Sequence, residues 1–319
     1  MHKKQSIHEL VIGDRLEKVV MIKKWELRVR RNGQTIDAFL TLADKSGEID
    51  AVYWDLKRNL LTSFENMQFI YITGQVTRKR NNGQLQLTLH NFKPVADVSP
   101  EDFLPSTPLD VEQLMAQIDT KIASIANPYL QGLLNSFFGD QFFRARFKKA
   151  PAAKKLHQAY IGGLAEHTLN VVNLCENICQ IYSQINRDFL ICIALLHDIG
   201  KIQEYKLNGM IEYTDRGKLI GHIVIGTEMI QEKIRLIKDF PAELALMIKH
   251  AILSHHGKFE FGSPKLPSIL AAVALFYADD TDAKLNGLIG IKNHNQSLDE
   301  KWSQWIWWLE RSIYLEENN

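Results

Sequence analysis

The sequence predicts two domains of different class, an N-terminal all-β barrel of five strands followed by an all-α helical bundle. Up to about residue 95, runs of β-branched and aromatic residues alternate with turn residues, which is typical of short strands. From Leu109 onward, apolar residues recur at helical spacing and the strand signals fade. Prolines and serines interrupt any regular element between Pro94 and Pro108. We therefore expect a barrel over 1–95, a linker and the start of a connecting helix over 96–120, and a helical domain over 121–319.

The strand signals of the first domain form five runs, at about 16–31, 34–42, 48–54, 68–80 and 83–93. Asn32-Gly33 and Asn82-Gly83 fall between runs, and Asn-Gly is a strong hairpin signal because both residues tolerate positive φ. Lys45-Ser46-Gly47 predicts another turn. Five short antiparallel strands fit a closed barrel of the OB type, an architecture that often binds oligonucleotides, although an SH3-like barrel has the same pattern.

Composition indicates a globular chain without a membrane span or an export signal. The 319 residues are 45% hydrophobic and 24% charged, which is enough for two domains and at least one large core. No apolar stretch approaches bilayer length, and the N-terminus lacks the features of a signal peptide. We therefore expect a cytoplasmic protein with no membrane partner. The three cysteines, Cys175, Cys179 and Cys192, lie among apolar helical residues, which favours reduced thiols over a disulfide or a thiolate metal site.

The charges are distributed unevenly between the two predicted domains. Residues 1–95 hold 16 Lys and Arg against 10 Asp and Glu, whereas the remainder holds 22 against 27. A basic barrel joined to an acidic, histidine-rich helical domain suggests an anion-binding module attached to a metal-binding one. The alternative is chance variation in surface charge.

Three helical stripes place polar residues where a buried apolar face should continue. The stripe that begins at Leu190 continues at i+7 with His197, so this histidine points inward. Similar stripes end at His255 and at Asp279 or Asp280. Buried polar groups are costly unless they are paired or coordinated, and a shared metal ion would satisfy all of them together.

Each of these residues also has an ordinary interpretation. An inward histidine is more often a satisfied core residue, and two adjacent histidines could be a surface pair at a frayed helix end, because helical neighbours point about 100° apart. His167 and His222 could cap or pack. A metal site is favoured by the ordered series within one domain, which consists of His167, His197-Asp198, His222, His255-His256 and Asp279.

The motifs around this series resemble those of the HD-domain metal phosphohydrolases in order and spacing. They are Gly162-Gly163-Leu164-Ala165-Glu166-His167-Thr168, Leu195-Leu196-His197-Asp198-Ile199-Gly200-Lys201, Gly221-His222-Ile223, Ser254-His255-His256-Gly257 and Ala278-Asp279-Asp280-Thr281-Asp282-Ala283-Lys284. The resemblance covers about residues 150–285. With a five-stranded barrel in front and Pro151-Ala152-Ala153-Lys154 before the first motif, the whole chain resembles the bacterial YhaM-type 3′-to-5′ exoribonucleases. One departure is Gln158, which stands where that family usually has a second histidine after His157.

The resemblance implies a two-ion site. His167, His197, Asp198 and Asp279 would hold one divalent ion, with Asp279 preferred over Asp280 by its place in the A-D-x-x-D pattern. A second ion would be held by His222, His255 and His256, with Asp198 bridging the two. Nitrogen and oxygen ligands without thiolate suit Mn²⁺, Fe²⁺, Co²⁺ or Zn²⁺, and the resemblance favours Mn²⁺.

Lys201 is a candidate catalytic residue beside Asp198. If the helix that carries His197 continues, Lys201 lies one turn further on the same face, within reach of a phosphate oxygen of the substrate. The alternative is a lysine whose positive charge interacts favourably with the helix dipole at the C-terminal end of the helix. The HDxxK resemblance favours the catalytic role.

The barrel supplies candidates for nucleic-acid binding. Cations that follow a phosphate backbone, together with aromatic faces on which bases stack, form the usual surface for single strands. About half of the aromatic residues should nevertheless be core, because alternate positions of a strand face inward. The candidates are Lys23, Lys24, Arg28, Arg30, Trp54, Arg78, Lys79 and Arg80.

These observations leave three hypotheses for function. The first is a metal-dependent exoribonuclease that degrades single-stranded RNA, and also single-stranded DNA, to nucleoside 5′-monophosphates. The second is an HD-type phosphodiesterase or phosphatase for a small or cyclic nucleotide, and the third is a non-catalytic nucleic-acid-binding protein. The sequence is compatible with a homo-oligomer and leaves the oligomeric state open.

In the tryptophan-rich C-terminus, Trp305, Trp308 and Ile313 fit a helical face that packs on the domain or on a neighbouring subunit.

Overall fold

The structure is a computed structural model that describes residues 6–31, 35–56, 68–79, 83–96, 98–154, 158–296 and 301–315. The chain divides into two compact units. The first comprises residues 1–105 together with 207–210, and the second comprises residues 106–206 and 211–319.

The first unit is a closed five-stranded barrel. Its strands are β1 (Arg15–Val29), β2 (Ile36–Asp44), β3 (Gly47–Leu56), β4 (Phe69–Arg78) and β5 (Leu85–Pro94), in the closed order β1-β2-β3-β5-β4. The predicted OB-like barrel is thereby confirmed. The expectation that all strands pair antiparallel is wrong in one place, because β3 and β5 pair in parallel. Chain direction alternates from strand to strand, so two odd-numbered strands that become neighbours on closure run the same way.

The barrel turns follow the sequence signals where the structure describes them. β2 passes to β3 through Lys45 and Ser46, with Asp44 opposite Gly47 in the register. The Asp44 carboxylate accepts hydrogen bonds from the backbone N of Ser46 (2.7 Å) and of Ile7 (3.1 Å). It therefore fixes this turn and the N-terminal segment together. Asn32-Gly33 and Asn82 lie outside the described residues.

The barrel interior is filled by inward-facing aliphatic side chains from every strand. Val20, Leu42, Ala51, Ile70 and Leu87 belong to this core and are at most 2% exposed. They follow the two-residue alternation of strands, in which every second side chain faces the core. The opposite face is partly covered, because Met21, Ala43 and Phe69 form a smaller buried cluster with Phe103.

The second unit consists mainly of helices, several of which begin at a residue whose side chain caps the first turn. The helices are α1 (Val111–Ala123), α2 (Pro128–Phe138), α3 (Gln141–Lys149), α4 (Gly163–Ile181), α5 (Arg187–Leu196), α6 (Lys201–Glu204), α7 (Asp215–Leu219), α8 (His222–Leu236), α9 (Ala242–Ser254) and α10 (Leu270–Gln296). Asp110, Asn127, Asp140 and Asn186 each accept a hydrogen bond from a first-turn backbone N–H, which explains where α1, α2, α3 and α5 begin.

Helix α5 forms the centre of this unit. Every residue from Phe189 to Leu196 is buried, and the helix packs against α2, α4, α9 and α10. A helix that is apolar all round belongs inside a core. The residues that follow its last turn therefore lie in the interior of the unit.

Two features of the second unit differ from the expectation of an almost purely helical domain. A two-stranded sheet, β6 (Tyr205–Leu207) and β7 (Ile211–Tyr213), lies between α6 and α7. Strands of three residues are too short to give a periodic signal. Residues 301–315 form isolated antiparallel bridges, Trp302 to Tyr314 and Ile306 to Arg311, so the helical face expected there is wrong.

The three cysteines lie in or against the hydrophobic core of the second unit. All three cysteines are free, with Cys175 and Cys192 buried, and burial raises the pKa of both thiols. Within the described ranges, no helix has the length and apolar character that crossing a bilayer requires.

Candidate metal centre and nucleic-acid interface

The ends of several helices bring the predicted histidines and aspartates to one place in the second unit. His167 lies in the first turns of α4, and His197-Asp198 follow α5 directly. His222 begins α8, His255-His256 follow α9, and Asp279 lies within α10. Close packing of these ends depends on Gly200, where a Cβ would collide with the backbone carbonyl of His222.

One cluster consists of His167, His197 and Asp279, with an oxygen of Asp198 beside it. The Nε2 atom of His167 lies 3.2 Å from Nε2 of His197 and 3.1 Å from Oδ1 of Asp279. Oδ2 of Asp198 lies 3.4 Å from Nε2 of His167 and 3.3 Å from Nε2 of His197. Four potential ligand atoms thus converge on one point.

A second cluster lies on the other side of Asp198. Its other oxygen, Oδ1, is 3.4 Å from Nε2 of His222 and 3.6 Å from Nε2 of His255. Nε2 of His222 lies 3.3 Å from Nε2 of His256. Asp198 therefore presents one oxygen to each cluster.

The donor spacing and the chemistry of these residues fit divalent cations. Donors held about 2.1 Å from one ion lie roughly 3.0 Å apart at right angles and roughly 3.4 Å apart in a tetrahedron. The separations across both clusters fall close to this range. Oδ1 of Asp198 and Nε2 of His255 are buried without a hydrogen-bond partner, a costly arrangement that coordination relieves.

The five imidazoles are all oriented so that Nε2 faces the centre. Nδ1 of His197 lies 2.7 Å from the carbonyl oxygen of Ala194, and His255 and His256 face backbone carbonyls in the same way. Because a carbonyl oxygen only accepts, Nδ1 carries the proton in these rings. Nε2 is then the nitrogen available to a metal ion.

Two carboxylates take the same role for the remaining rings. Nδ1 of His167 lies 2.6 Å from Oδ2 of Asp282, and Nδ1 of His222 lies 3.0 Å from Oε1 of Glu204. Sequence reasoning assigned no role to either acid. Asp282 occupies the last position of the A-D-x-x-D pattern and could have been found there, whereas Glu204 has no sequence signal that we recognise.

Lys201 lies inside the site rather than at its edge. Its side chain is 7% exposed, and Nζ is 2.5 Å from Oδ2 of Asp198. The expected continuous helix is wrong, because α5 ends at Leu196 and α6 begins at Lys201. The intervening turn brings Lys201 onto Asp198 instead of one turn beyond His197.

Burial and neighbouring charges shift the pKa values of residues in both clusters. Burial alone would raise the pKa of Asp198, but Lys201 and His197 outweigh burial and hold it well below its usual range. Burial lowers the pKa of His167, yet the carboxylates around it outweigh burial and hold its pKa well above the usual value. Burial and the neighbouring His255 lower the pKa of His256 to about 3. His256 is therefore neutral at physiological pH and its Nε2 lone pair is free.

Two residues that the sequence left open have defined places. Asp280 points away from the clusters and pairs with Lys284 at 2.6 Å. Gln158 is buried with φ +39°, and its Nε2 donates to Oδ2 of Asp282 at 3.0 Å. His157 lies outside the described residues.

The barrel carries a cleft of about 1100 Å³ on the outside of its strands. Its lining includes five cations, two carboxylates (Glu26 and Asp50) and three aromatic residues. The guanidinium of Arg28 lies over the ring of Phe39 at 4.6 Å, and that of Arg30 over Trp54 at 5.5 Å. The cations are Lys24, Arg28, Arg30, Arg78 and Lys79, and the aromatic residues are Trp25, Phe39 and Trp54.

Six of the eight predicted binding residues line this cleft, and a seventh, Lys23, does not. Lys23 lies at a β-bulge between Ile22 and Lys24 and pairs with Glu48 outside the cleft. Arg80 lies outside the described residues. The aromatic residues interleaved with these cations are Trp25, Phe39, Tyr53 and Trp54. Only Tyr53 packs against the barrel interior, so the expectation that about half of them are core is wrong.

Comparison with known proteins agrees with both halves of the chain. The family described as an OB-fold nucleic acid binding domain matches residues 20–95, and the HD domain family matches residues 164–284. Fold and site therefore define an HD-domain protein with an N-terminal OB-fold.

Whole-chain relatives define the family more narrowly. The 3′-5′ exoribonuclease YhaM of Bacillus subtilis is 35% identical over 292 residues, which cover 90% of each chain. The proteins of the same name from Oceanobacillus iheyensis and Listeria innocua are 34% and 30% identical, covering 89% of this chain and 89% and 90% of the relatives. The chain belongs to the YhaM family.

Proposed function

We propose that this protein is a metal-dependent 3′-to-5′ exoribonuclease that hydrolyses single-stranded RNA to nucleoside 5′-monophosphates. The main support for a two-metal hydrolytic site is the position of Asp198. Each of its two oxygens faces a separate cluster of histidines, 3.3 to 3.6 Å away. Relatives that share 30 to 35% identity along almost the whole chain are named exoribonucleases.

The proposed metal site takes two divalent ions, for which Mn²⁺ is our first choice and Co²⁺, Fe²⁺ and Zn²⁺ are alternatives. Asp198 would contribute one oxygen to each ion. When bound, such ions bind the scissile phosphate, lower the pKa of an attacking water and offset charge on the leaving oxygen. One ion would be held by His167, His197 and Asp279, and the other by His222, His255 and His256.

Lys201 supplies a further positive charge in the proposed mechanism. Its ammonium group lies against Asp198 in a buried setting, where electrostatic interactions are stronger than in water. It holds this carboxylate in one orientation. It also places a cation next to the point where a phosphate oxygen would accumulate charge.

The barrel cleft binds the RNA strand in this proposal. Its cations meet phosphates, and Trp25, Phe39 and Trp54 offer faces for stacking bases. Because every base has an aromatic face, such a surface accepts many sequences. We extend the proposal to single-stranded DNA, whose phosphates and bases suit the same contacts.

Location and assembly complete the proposal. An enzyme that degrades RNA is expected in the cytoplasm, where its substrate lies, and we propose that location. A homo-oligomer is compatible with the sequence, which leaves the oligomeric state open. Sedimentation of the purified protein tests this second point directly.

The test compares RNA with a small nucleotide. Purified protein with Mn²⁺ is incubated with a 5′-labelled single-stranded RNA and, separately, with a cyclic dinucleotide, and parallel reactions contain EDTA. We expect a ladder that shortens from the 3′ end, release of nucleoside 5′-monophosphates and no reaction in EDTA. Loss of the dinucleotide alone would replace the proposal with a small-nucleotide phosphodiesterase. RNA binding without turnover of either substrate would replace it with a non-catalytic binding protein.

A further inference from the structure

The two carboxylates outside the histidine clusters are distributed one to each cluster. Asp282 accepts from His167, which belongs to the first cluster, and Glu204 accepts from His222, which belongs to the second. The other three histidines use backbone carbonyls for the same purpose. Each cluster thus has one ring held by an anion.

Asp282 is fixed in place by donors on both of its oxygens. Oδ2 accepts from His167 and from Nε2 of Gln158, and Oδ1 accepts from Nδ2 of Asn286 at 2.9 Å. The residue is 6% exposed. With both oxygens engaged outward of the cluster, Asp282 acts on His167 rather than serving as a ligand itself.

Glu204 holds His222 by two points at once. Its Oε1 accepts from the backbone N of His222 and from the Nδ1 atom of the same residue, both at 3.0 Å. It therefore fixes the first residue of α8 and the direction of its ring together. Glu204 is 5% exposed, so water does not weaken these contacts.

We infer that Asp282 and Glu204 are positioning residues for metal binding, Asp282 for the ion at His167 and Glu204 for the ion at His222. A charge-assisted hydrogen bond is roughly twice as strong as a neutral one. It fixes the tautomer that leaves Nε2 free and raises the basicity of the ring, and losing such a partner typically costs about 10- to 100-fold in metal affinity. This inference rests on the two-ion site of the proposed function.

The test measures Mn²⁺ binding to the full chain, independently of activity. Asp282→Asn and Glu204→Gln remove one charge each with little change in shape. Equilibrium dialysis should show two ions on the wild type, and in each variant an affinity about 10- to 100-fold lower for one ion only. Asp280→Asn on α10 and Glu228→Gln on α8 are matched controls, because their carboxylates pair with Lys284 and Arg216 away from the site.

Combination with ligand variants identifies which ion each carboxylate serves. His197→Ala removes the first site, so Asp282→Asn in that background should cause no further loss of Mn²⁺ affinity. In the background of His256→Ala, which removes the second site, Asp282→Asn should weaken binding of the remaining ion. Glu204→Gln should show the opposite pattern.

The outcomes separate this inference from the proposed function. A wild type that binds no Mn²⁺ would overturn the two-ion site itself. Wild-type affinity for both ions in both variants would overturn only the positioning roles. Equal weakening of both ions by one substitution would also overturn them, since this is the result expected of a general loss of folding.

Discussion

Replacing Asp198 with alanine should abolish turnover while leaving RNA binding nearly intact. Within the part of the chain that the structure describes, the carboxylate is the one group that faces both clusters, with its oxygens 3.3 to 3.6 Å from four imidazole nitrogens. The substitution therefore removes a ligand from both proposed ions at once. The barrel cleft contains none of these atoms, so the Kd for single-stranded RNA should stay within about threefold.

The expected size of the effect comes from that double loss. Loss of a single preorganised electrostatic contact typically lowers kcat by about 10²- to 10³-fold. Loss of a shared ligand should exceed this, so we expect kcat to fall by at least about 10³-fold, or about 4 kcal/mol of activation free energy. The same substitution leaves the buried Lys201 ammonium unpaired, which typically destabilises a protein by about 3–5 kcal/mol.

The assay must separate lost chemistry from lost folding. Two quantities are measured, the kcat for labelled RNA and the free energy of unfolding from urea denaturation. The variants are Asp198→Ala and Asp198→Ala/Lys201→Met. The double variant removes both buried charges, so it should regain stability without regaining activity. Asp280→Ala is the matched control and should retain wild-type kcat. Activity within about tenfold of wild type in folded Asp198→Ala would refute the bridging role.

Three further results are expected. Trp54→Ala should raise the Kd for single-stranded RNA about tenfold, measured by fluorescence anisotropy in EDTA, because base stacking contributes roughly 1–3 kcal/mol; an unchanged Kd would remove Trp54 from the binding surface. Lys201→Met should lower kcat about 10²-fold or more with little change in KM, and a change in KM alone would place Lys201 in substrate binding instead. Asp44→Asn should lower the free energy of unfolding of the barrel by about 2–3 kcal/mol at pH 7, because buried backbone donors lose a charged acceptor. Burial raises the pKa of Asp44, but hydrogen bonds from Lys18 and Ser46 outweigh it and hold the pKa below its usual value. The stability that Asp44 contributes is therefore fully present above about pH 4 and lost as pH falls through its folded pKa, so urea curves of wild type and variant should converge in acid; a constant gap would contradict this linkage.

The sequence was sufficient to predict the residues that the structure gathers in the two clusters. Their positions continue apolar stripes on α5, α9 and α10, so helical periodicity directs His197 and His255 inward and leaves Asp279 or Asp280 for the third stripe. The sequence of α5 supports the same conclusion. Because this helix has no polar face, the residues that follow its last turn are expected in the interior. Family motifs then connected His167 and His222 to the same site.

The outer partners of the histidines could not be predicted from the same signals. Glu204 reaches His222 because α6 is a single turn that stops where β6 begins, and such short elements leave no periodic pattern. Asp282 lies one turn beyond Asp279 on α10, where spacing predicts a shared face but not which acid faces an ion and which faces a ring. Tertiary packing decides that difference.

In the barrel, prediction failed where strand geometry is irregular. Alternation assigns every second side chain to one face, and a single bulge at Lys23 reverses the assignment for the later residues of the strand. Sequence composition predicted a basic surface, but the position of each cation on it required the register of β1 against β2.

Three of the five cations that line the cleft are paired with carboxylates of the barrel itself. Arg28 pairs with Glu26 at 2.8 Å, Arg30 with Asp37 at 2.7 Å, and Lys79 with Asp50. If the cleft binds RNA as proposed, a phosphate at one of these three cations would exchange with a carboxylate, and the contact would contribute only the difference between two ion pairs. Each of these three cations would then keep an anionic partner whether or not a phosphate is bound.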